Sequence, residues 1–214
     1  MFYSQQKEDI ILYEKYLNYR DGFFIELGAM DGIRYSNTLF FEQQLGWKGV
    51  LIEANNEQYL NLIKNRPNCY NFNYAISEND GEVEFIGYGA VGGMVHTMTD
   101  EHKYGWNLDK TKSYKVKSSP IRKVIENLNI DKVDLFSIDV EGGELEVLKT
   151  FDWNIPVYII CIEMAHHYTE SGQIKVQEYR NFMKTKGFEF DFEIGVNEIW
   201  INKNYTFCAN AGKK

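Results

Sequence analysis

Four carboxylates close short apolar runs in this sequence: Glu26 in GFFIELGAMDG, Glu53 in GVLIEA, Asp139 in VDLFSID and Glu163 in VYIICIE. A carboxylate at the tip of a buried strand can accept hydrogen bonds from ligand hydroxyls, balance a cationic ligand, coordinate a divalent cation or take a proton. Glu141, His166 and His167 follow just after two of these tips. A fifth tip, Ala75 to Ser77, carries no carboxylate.

The first tip turns through Gly28, Ala29, Met30, Asp31 and Gly32. A dinucleotide site would need GxGxxG here, with pyrophosphate against a helix N-terminus, and GAMDG lacks that spacing. Glu26 and Asp31 would repel pyrophosphate but favour a ligand with ammonium and sulfonium charge, as S-adenosylmethionine has. On this reading the small turn lets backbone approach the methionine part, and Glu26 or Asp31 holds its cationic groups. Glu53, followed by Ala54, accepts from the ribose hydroxyls, and Ala75, Ile76 and Ser77 line the adenine.

These tips need a sheet to bring them together. Phe23 to Leu27 is bounded by glycines, as a fully buried parallel strand would be. SNTLFFEQQLGW then reads as a helix stopped at Gly46, and NNEQYLNLIKNR as a second one, capped by Asn55 or Asn56 and ended before Pro67. NFNYAIS reads as a third strand. Further on come the helix PIRKVIENLNI, the strand to Asp139, the helix GELEVLKTF, the strand to Glu163 and a helix over about 173–186. FEFDFEIGVNEIWIN reads as a closing hairpin, and an amphipathic helix over about 4–19, with Ser4 as its cap, opens the chain. Alternating strands and helices predict an α/β fold, a mostly parallel sheet covered on both faces with an antiparallel edge. Between Gly87 and Ser119 the periodicity lapses, and Tyr88, His96, Tyr104, Trp106 and Tyr114 stand among glycines. A stretch this long without clear elements predicts a lid over an acceptor.

The bulk numbers set limits on partners. A chain of 214 residues with 44% hydrophobic content makes one domain, and 15% aromatics suit a pocket lined with rings. A net charge of −8 argues against nucleic acid and anionic membranes, which reward basic surfaces. Cys69, Cys161 and Cys208 have no disulfide or zinc spacing, and no stretch approaches a membrane span or a secretory leader. The expectation is a soluble, cytoplasmic protein.

GFFIELGAMDG, SNTLFFEQQLGWKGVLIEAN, NYAIS and DLFSIDVEGGELEVL, preceded by YSQQKED, resemble the FkbM family of S-adenosylmethionine-dependent O-methyltransferases from Ser4 to about Glu163. The resemblance implies a Rossmann-like, seven-stranded class I methyltransferase sheet. It also implies a cofactor loop of Glu26, Gly28, Asp31 and Gly32, with Asn37 near the methionine end and Glu53 on the ribose. Met30 departs from the polar residue usual at its position. The implied acceptor is a hydroxyl of a sugar or glycan, such as a hexose or a deoxyhexose like rhamnose or fucose. Relatives of this kind occur fused to glycosyltransferases in large viruses and microbes, which implies a domain cut from a longer polypeptide.

A sugar hydroxyl needs a base or a metal to become a nucleophile. Asp139 and Glu163 could hold Mg²⁺ or Mn²⁺, or His166 or Asp139 could take the proton directly. Glu144 and Glu146 read instead as a helix N-terminal pair that complements the dipole. Two rivals stand beside this reading: a catalytically inactive methyltransferase fold that binds glycans, and a nicotinamide-dependent oxidoreductase, against which the missing GxGxxG counts.

Overall fold

In chain order, α1 (Glu8–Lys15) precedes β1 (Phe23–Leu27), α2 (Leu39–Leu45), β2 (Lys48–Ile52), α3 (Asn56–Asn65) and β3 (Tyr70–Phe72). Next come β4 (Ala75–Ile76), β5 (Gly81–Ile86), β6 (Gly93–Met94), α4 (Asp100–Gly105) and β7 (Tyr114–Ser119). The chain continues through α5 (Ile121–Val124), β8 (Val133–Ile138), α6 (Glu144–Thr150), β9 (Val157–Glu163), α7 (Glu170–Thr185), β10 (Phe188–Ile194) and β11 (Asn197–Asn202). The structure, a computed structural model, describes residues 2–164 and 170–205.

Seven strands form the main sheet in the order β10-β11-β9-β8-β1-β2-β3. β3, β2, β1, β8 and β9 are mutually parallel, and β11 runs antiparallel to both β9 and β10. Every residue of β8 is buried, as a central strand covered on both faces requires. Successive side chains point to opposite faces, so Ile25, Val50, Phe136 and Ile160 pack into one apolar layer and Phe24, Leu51, Leu135 and Ile159 into the other. Gly46 ends α2 in the left-handed conformation at φ +71°. Asn55 caps α3, its side-chain oxygen accepting from Glu57 and Gln58 N–H.

Four expectations are revised. α1 begins only at Glu8, because Ser4 lies outside it: Ser4 Oγ donates to Asp9 Oδ1 at 2.6 Å and its backbone bridges to Tyr35. NFNYAIS is two strands rather than one. Its β3 half pairs with β2 and its β4 half with β7, while at the bend Asn73 donates to the Glu53 and Ala54 carbonyls. The helix of PIRKVIENLNI stops after Val124, where Asn127 and Asn129 favour turns over helix.

The fourth revision is a second, four-stranded sheet in the order β4-β7-β5-β6, which occupies part of the stretch expected to be irregular. Its long pair alternates cleanly. Glu82 and Glu84 on β5 face Lys117 and Lys115 across the ladder, and Val83 and Phe85 face Val116 and Tyr114. Within the stretch from Gly87 to Ser119, the residues from Tyr88 to Trp106 reach the cavity described below.

Candidate active site

The order in which strands join the main sheet reverses between β1 and β8, and ligands of open α/β sheets bind in the crevice outside the carboxyl ends of the strands at such a switch point. Here three strand tips interlock: Asp139 N–H donates to the Leu27 carbonyl at 3.3 Å, joining β8 to β1, and Gly28 N–H to the Ile52 carbonyl at 3.1 Å, joining β1 to β2. Gly28 has φ +74°, and a Cβ there would lie 1.8 Å from the Asp139 carbonyl oxygen, so no other residue fits. A cavity of about 870 Å³ opens above this fork, within the range of small-molecule sites.

On the β1–β2 side the cavity is lined by Glu26, Gly28, Ala29, Asp31, Asn37, Glu53, Ala54, Ala75 and Ile76. Glu26 is buried. Its Oε1 accepts from Asn37 N–H at 2.7 Å, and Oε2 from Ser36 Oγ at 2.9 Å and Thr38 Oγ1 at 2.5 Å. Burial raises its pKa, opposed by Arg66 and these hydrogen bonds. Glu26 therefore anchors the 36–38 segment while facing the cavity. Asn37 Nδ2 donates to Ser137 Oγ at 2.9 Å. Asp31 Oδ1 accepts from Ile33 and Arg34 N–H at 2.9 and 2.8 Å, which shapes the turn.

Glu53 takes Met30 N–H on one oxygen at 2.9 Å and Asn55 N–H on the other at 2.7 Å. Met30, at φ +49°, thus contributes its backbone N–H to this wall. Gly32 and Ser77 do not line the cavity. Gly32 packs its backbone against Arg66 and Leu62, and Ser77 Oγ turns to the Asn79 carbonyl in the second sheet.

Arg66, fully buried, supports this wall from behind. It pairs with Glu42 and donates to the Gly32 carbonyl at 2.9 Å, Ser36 Oγ at 3.2 Å and Thr38 Oγ1 at 3.2 Å. Removing a buried ion pair's cation leaves its partner uncompensated, so Arg66→Leu should cost about 3 kcal/mol or more. The denaturation midpoint measures it.

Burial pushes the Glu53 carboxyl up to about 7 from its ordinary 4.5, against the hydrogen bonds it accepts. Between those values the folded chain keeps a proton that the unfolded chain has released. The stabilisation is complete below the unfolded value and is lost as pH rises through the folded one. The ligand-free protein should accordingly unfold at lower denaturant at about pH 8 than at about pH 5, and Glu53→Gln should reduce the difference by its share, since Asp139, Glu141 and Glu163 act in the same direction.

On the β8–β9 side, Asp139 and Glu163 line the same cavity, joined by Glu141. One oxygen from each lies within 4.8 Å of the others. Asp139 is exposed to the cavity. Burial pushes all three carboxyls upward and neighbouring carboxylates add to it; for Asp139 a hydrogen bond from Glu163 works the other way. Glu141, 8% exposed and at φ +55°, has an Oε2 that accepts no hydrogen bond among the described residues, with His102 Nδ1 3.5 Å away. Glu144 stays out of the cavity lining, accepting from Val140 and Gly142 N–H and from Tyr179 Oη. His166 lies outside the described residues.

Sequence reasoning placed Glu141 near the crevice without joining it to Asp139 and Glu163, and overlooked His102, Glu8 and Asn197 as cavity residues. The Glu141 signal was its position two residues after Asp139. Glu8 and Asn197 carried none, since they meet across 189 positions.

The strand order, the cavity at the β1–β8 fork and an acidic tip on the second strand define a class I methyltransferase fold. Two solved structures share it: the FkbM methyltransferase from Methylobacillus flagellatus (12% identity, TM-score 0.52, covering 85% of this chain and 43% of that one) and a candidate caffeoyl-CoA O-methyltransferase from Staphylococcus aureus (12%, 0.55, 94% and 85%). At that identity the likeness is one of fold, and the chain spans less than half of the Methylobacillus protein. No curated protein sequence matches at a significant level. Residues 26–190, most of the chain, match the methyltransferase FkbM domain, and the chain belongs to that family. Family and fold support S-adenosylmethionine-dependent methyl transfer. Among the described residues no helix is long and apolar enough to cross a membrane.

Proposed function

We propose that the chain transfers a methyl group from S-adenosylmethionine to a hydroxyl of a sugar or glycan. The observation that carries this reading is one cavity with two chemically distinct ends. One has Glu53 and the Glu26–Asn37 pair for a cationic nucleoside; the other has three converging carboxylates for a hydroxyl that must lose a proton. The donor fits the residues present. Glu53 faces the cavity with both oxygens already oriented by backbone N–H groups, Ala54, Ala75 and Ile76 offer a flat apolar wall, and Glu26 balances positive charge.

When bound, S-adenosylmethionine supplies the electrophilic methyl carbon. Asp139 at the fork receives the acceptor's hydroxyl proton as the O–C bond forms and the C–S bond breaks, with S-adenosylhomocysteine leaving. The hard oxygen donors of Asp139, Glu141 and Glu163 also suit Mg²⁺ or Mn²⁺, which would acidify that hydroxyl. Tyr88 and Trp106, 50% and 60% exposed on the cavity rim, offer faces on which a sugar ring can stack.

The test is mass spectrometry of candidate glycosides incubated with donor, where each transfer adds about 14 Da. Donor binding without any methylated glycoside would favour a glycan-binding module, and binding of NAD in place of S-adenosylhomocysteine an oxidoreductase.

A further inference from the structure

The segment YSQQKED, which leads into the first residues of α1, has no part in the chemistry so far, yet Gln5, Gln6 and Glu8 line the cavity. Glu8 is 1% exposed. Its carboxylate accepts from Gln6 N–H at 2.8 Å and from Asn197 Nδ2 at 2.7 Å, tying the start of the chain to the first residue of β11. Asn197 pairs with Glu163 across the sheet. Gln6 lies against the hairpin turn so closely that a Cβ on Gly195 would sit 1.1 Å from Gln6 Oε1. The other end is fixed too. Ser4 bridges to Tyr35, and the Asp9 carboxylate accepts from Tyr3 N–H and Ser4 Oγ, each at 2.6 Å.

Strand order says which part of the cavity this arm closes. From Glu53 on β2 the tips run through β1, β8 with Asp139, β9 with Glu163, and β11 with Asn197. Adjacent strands lie about 4.8 Å apart, so Glu53 and Glu163, three strands apart, are separated by roughly 14 Å. A donor with its ribose on Glu53 and its methionine end toward Glu26 fills the β2–β1 half. What remains lies over β9 and β11, and its outer wall is the N-terminal arm.

We infer that Ser4 to Glu8 is a wall of the acceptor subsite. The Gln5, Gln6 and Asn197 amides hydrogen-bond to a hydroxyl-rich acceptor, and Glu8 is the positioning residue that holds Gln6 and Asn197 in register. This rests on the hydroxyl-transfer reading above. Amides both donate and accept, which matches a sugar's hydroxyls and ring oxygen, whereas a cationic acceptor would have no use for the amide donors.

The experiment uses the full chain and the best substrate from a panel of methyl glycosides of hexoses and deoxyhexoses. Gln6→Ala should raise the acceptor KM about tenfold, the loss of one hydrogen bond, and Glu8→Ala should raise it further. The dissociation constant of S-adenosylhomocysteine, measured by calorimetry, should stay within about twofold in both variants, and Glu8→Gln, which keeps one acceptor oxygen, should restore part of the loss. An unchanged acceptor KM in Gln6→Ala, or donor affinity that falls in step with it, overturns the inference and leaves methyl transfer intact. A wild-type chain that binds S-adenosylhomocysteine but methylates no glycoside overturns the hydroxyl-transfer reading, and the acceptor wall falls with it.

Discussion

Glu53→Ala is expected to weaken S-adenosylhomocysteine binding about 100-fold or more, since it removes two hydrogen bonds to a charged acceptor worth about 1.5–3 kcal/mol each. Titration calorimetry reads the change. Both Glu53 oxygens are oriented before any ligand arrives, by Met30 and Asn55 N–H, so little ordering has to occur on binding. α3 keeps its cap in the variant, because that role belongs to the Asn55 side chain. Glu53→Gln, which retains shape and one acceptor, should lose about tenfold. Affinity unchanged in Glu53→Ala would mean that the nucleoside does not use the second strand tip.

Asp139→Ala is expected to lower kcat by about 10²- to 10⁴-fold, the span attributed to a positioned base, while donor affinity changes little. Stability should move the other way. Asp139 faces the cavity, held above its ordinary pKa by desolvation and by the charge of Glu144, Glu26 and Glu8, against a hydrogen bond from Glu163, so its removal relieves the fold at neutral pH. A melting temperature equal to or above the wild type, together with the loss of turnover, separates a functional group from a structural one. Chelator should abolish wild-type turnover, and Mg²⁺ or Mn²⁺ should restore it, if the three carboxylates act through a cation. Full activity in chelator assigns the proton to Asp139 alone.

Much of this arrangement was legible in the sequence because buried parallel strands announce themselves. FFIEL, GVLI, VDLFSI and VYIICIE are mainly apolar runs, each bounded by turn residues or a carboxylate, and each became a strand of the main sheet. The rule that ligands sit beyond carboxyl ends then gave Glu26, Glu53, Asp139 and Glu163 without further information, and all four face one cavity. Short strands were harder. β4 has two residues and takes its partner from β7, about 40 positions later, so NFNYAIS reads as one run until that partner is seen. β5 and β7 did carry a signal, the alternation of Glu with Val and Phe against Lys with Tyr and Val, but the surrounding glycines and aromatics obscured it. Contacts such as Glu8 with Asn197 arise only from tertiary packing, and no local pattern encodes them.

The most direct measurement is a crystal structure with S-adenosylhomocysteine bound. The ribose hydroxyls should lie on Glu53, the adenine against Ala54, Ala75 and Ile76, and the amino-acid end beside Glu26 and Asn37, with the sulfur directed toward Asp139. An empty crevice at the β1–β8 fork, or the nucleoside seated elsewhere with Glu53 untouched, would contradict this placement.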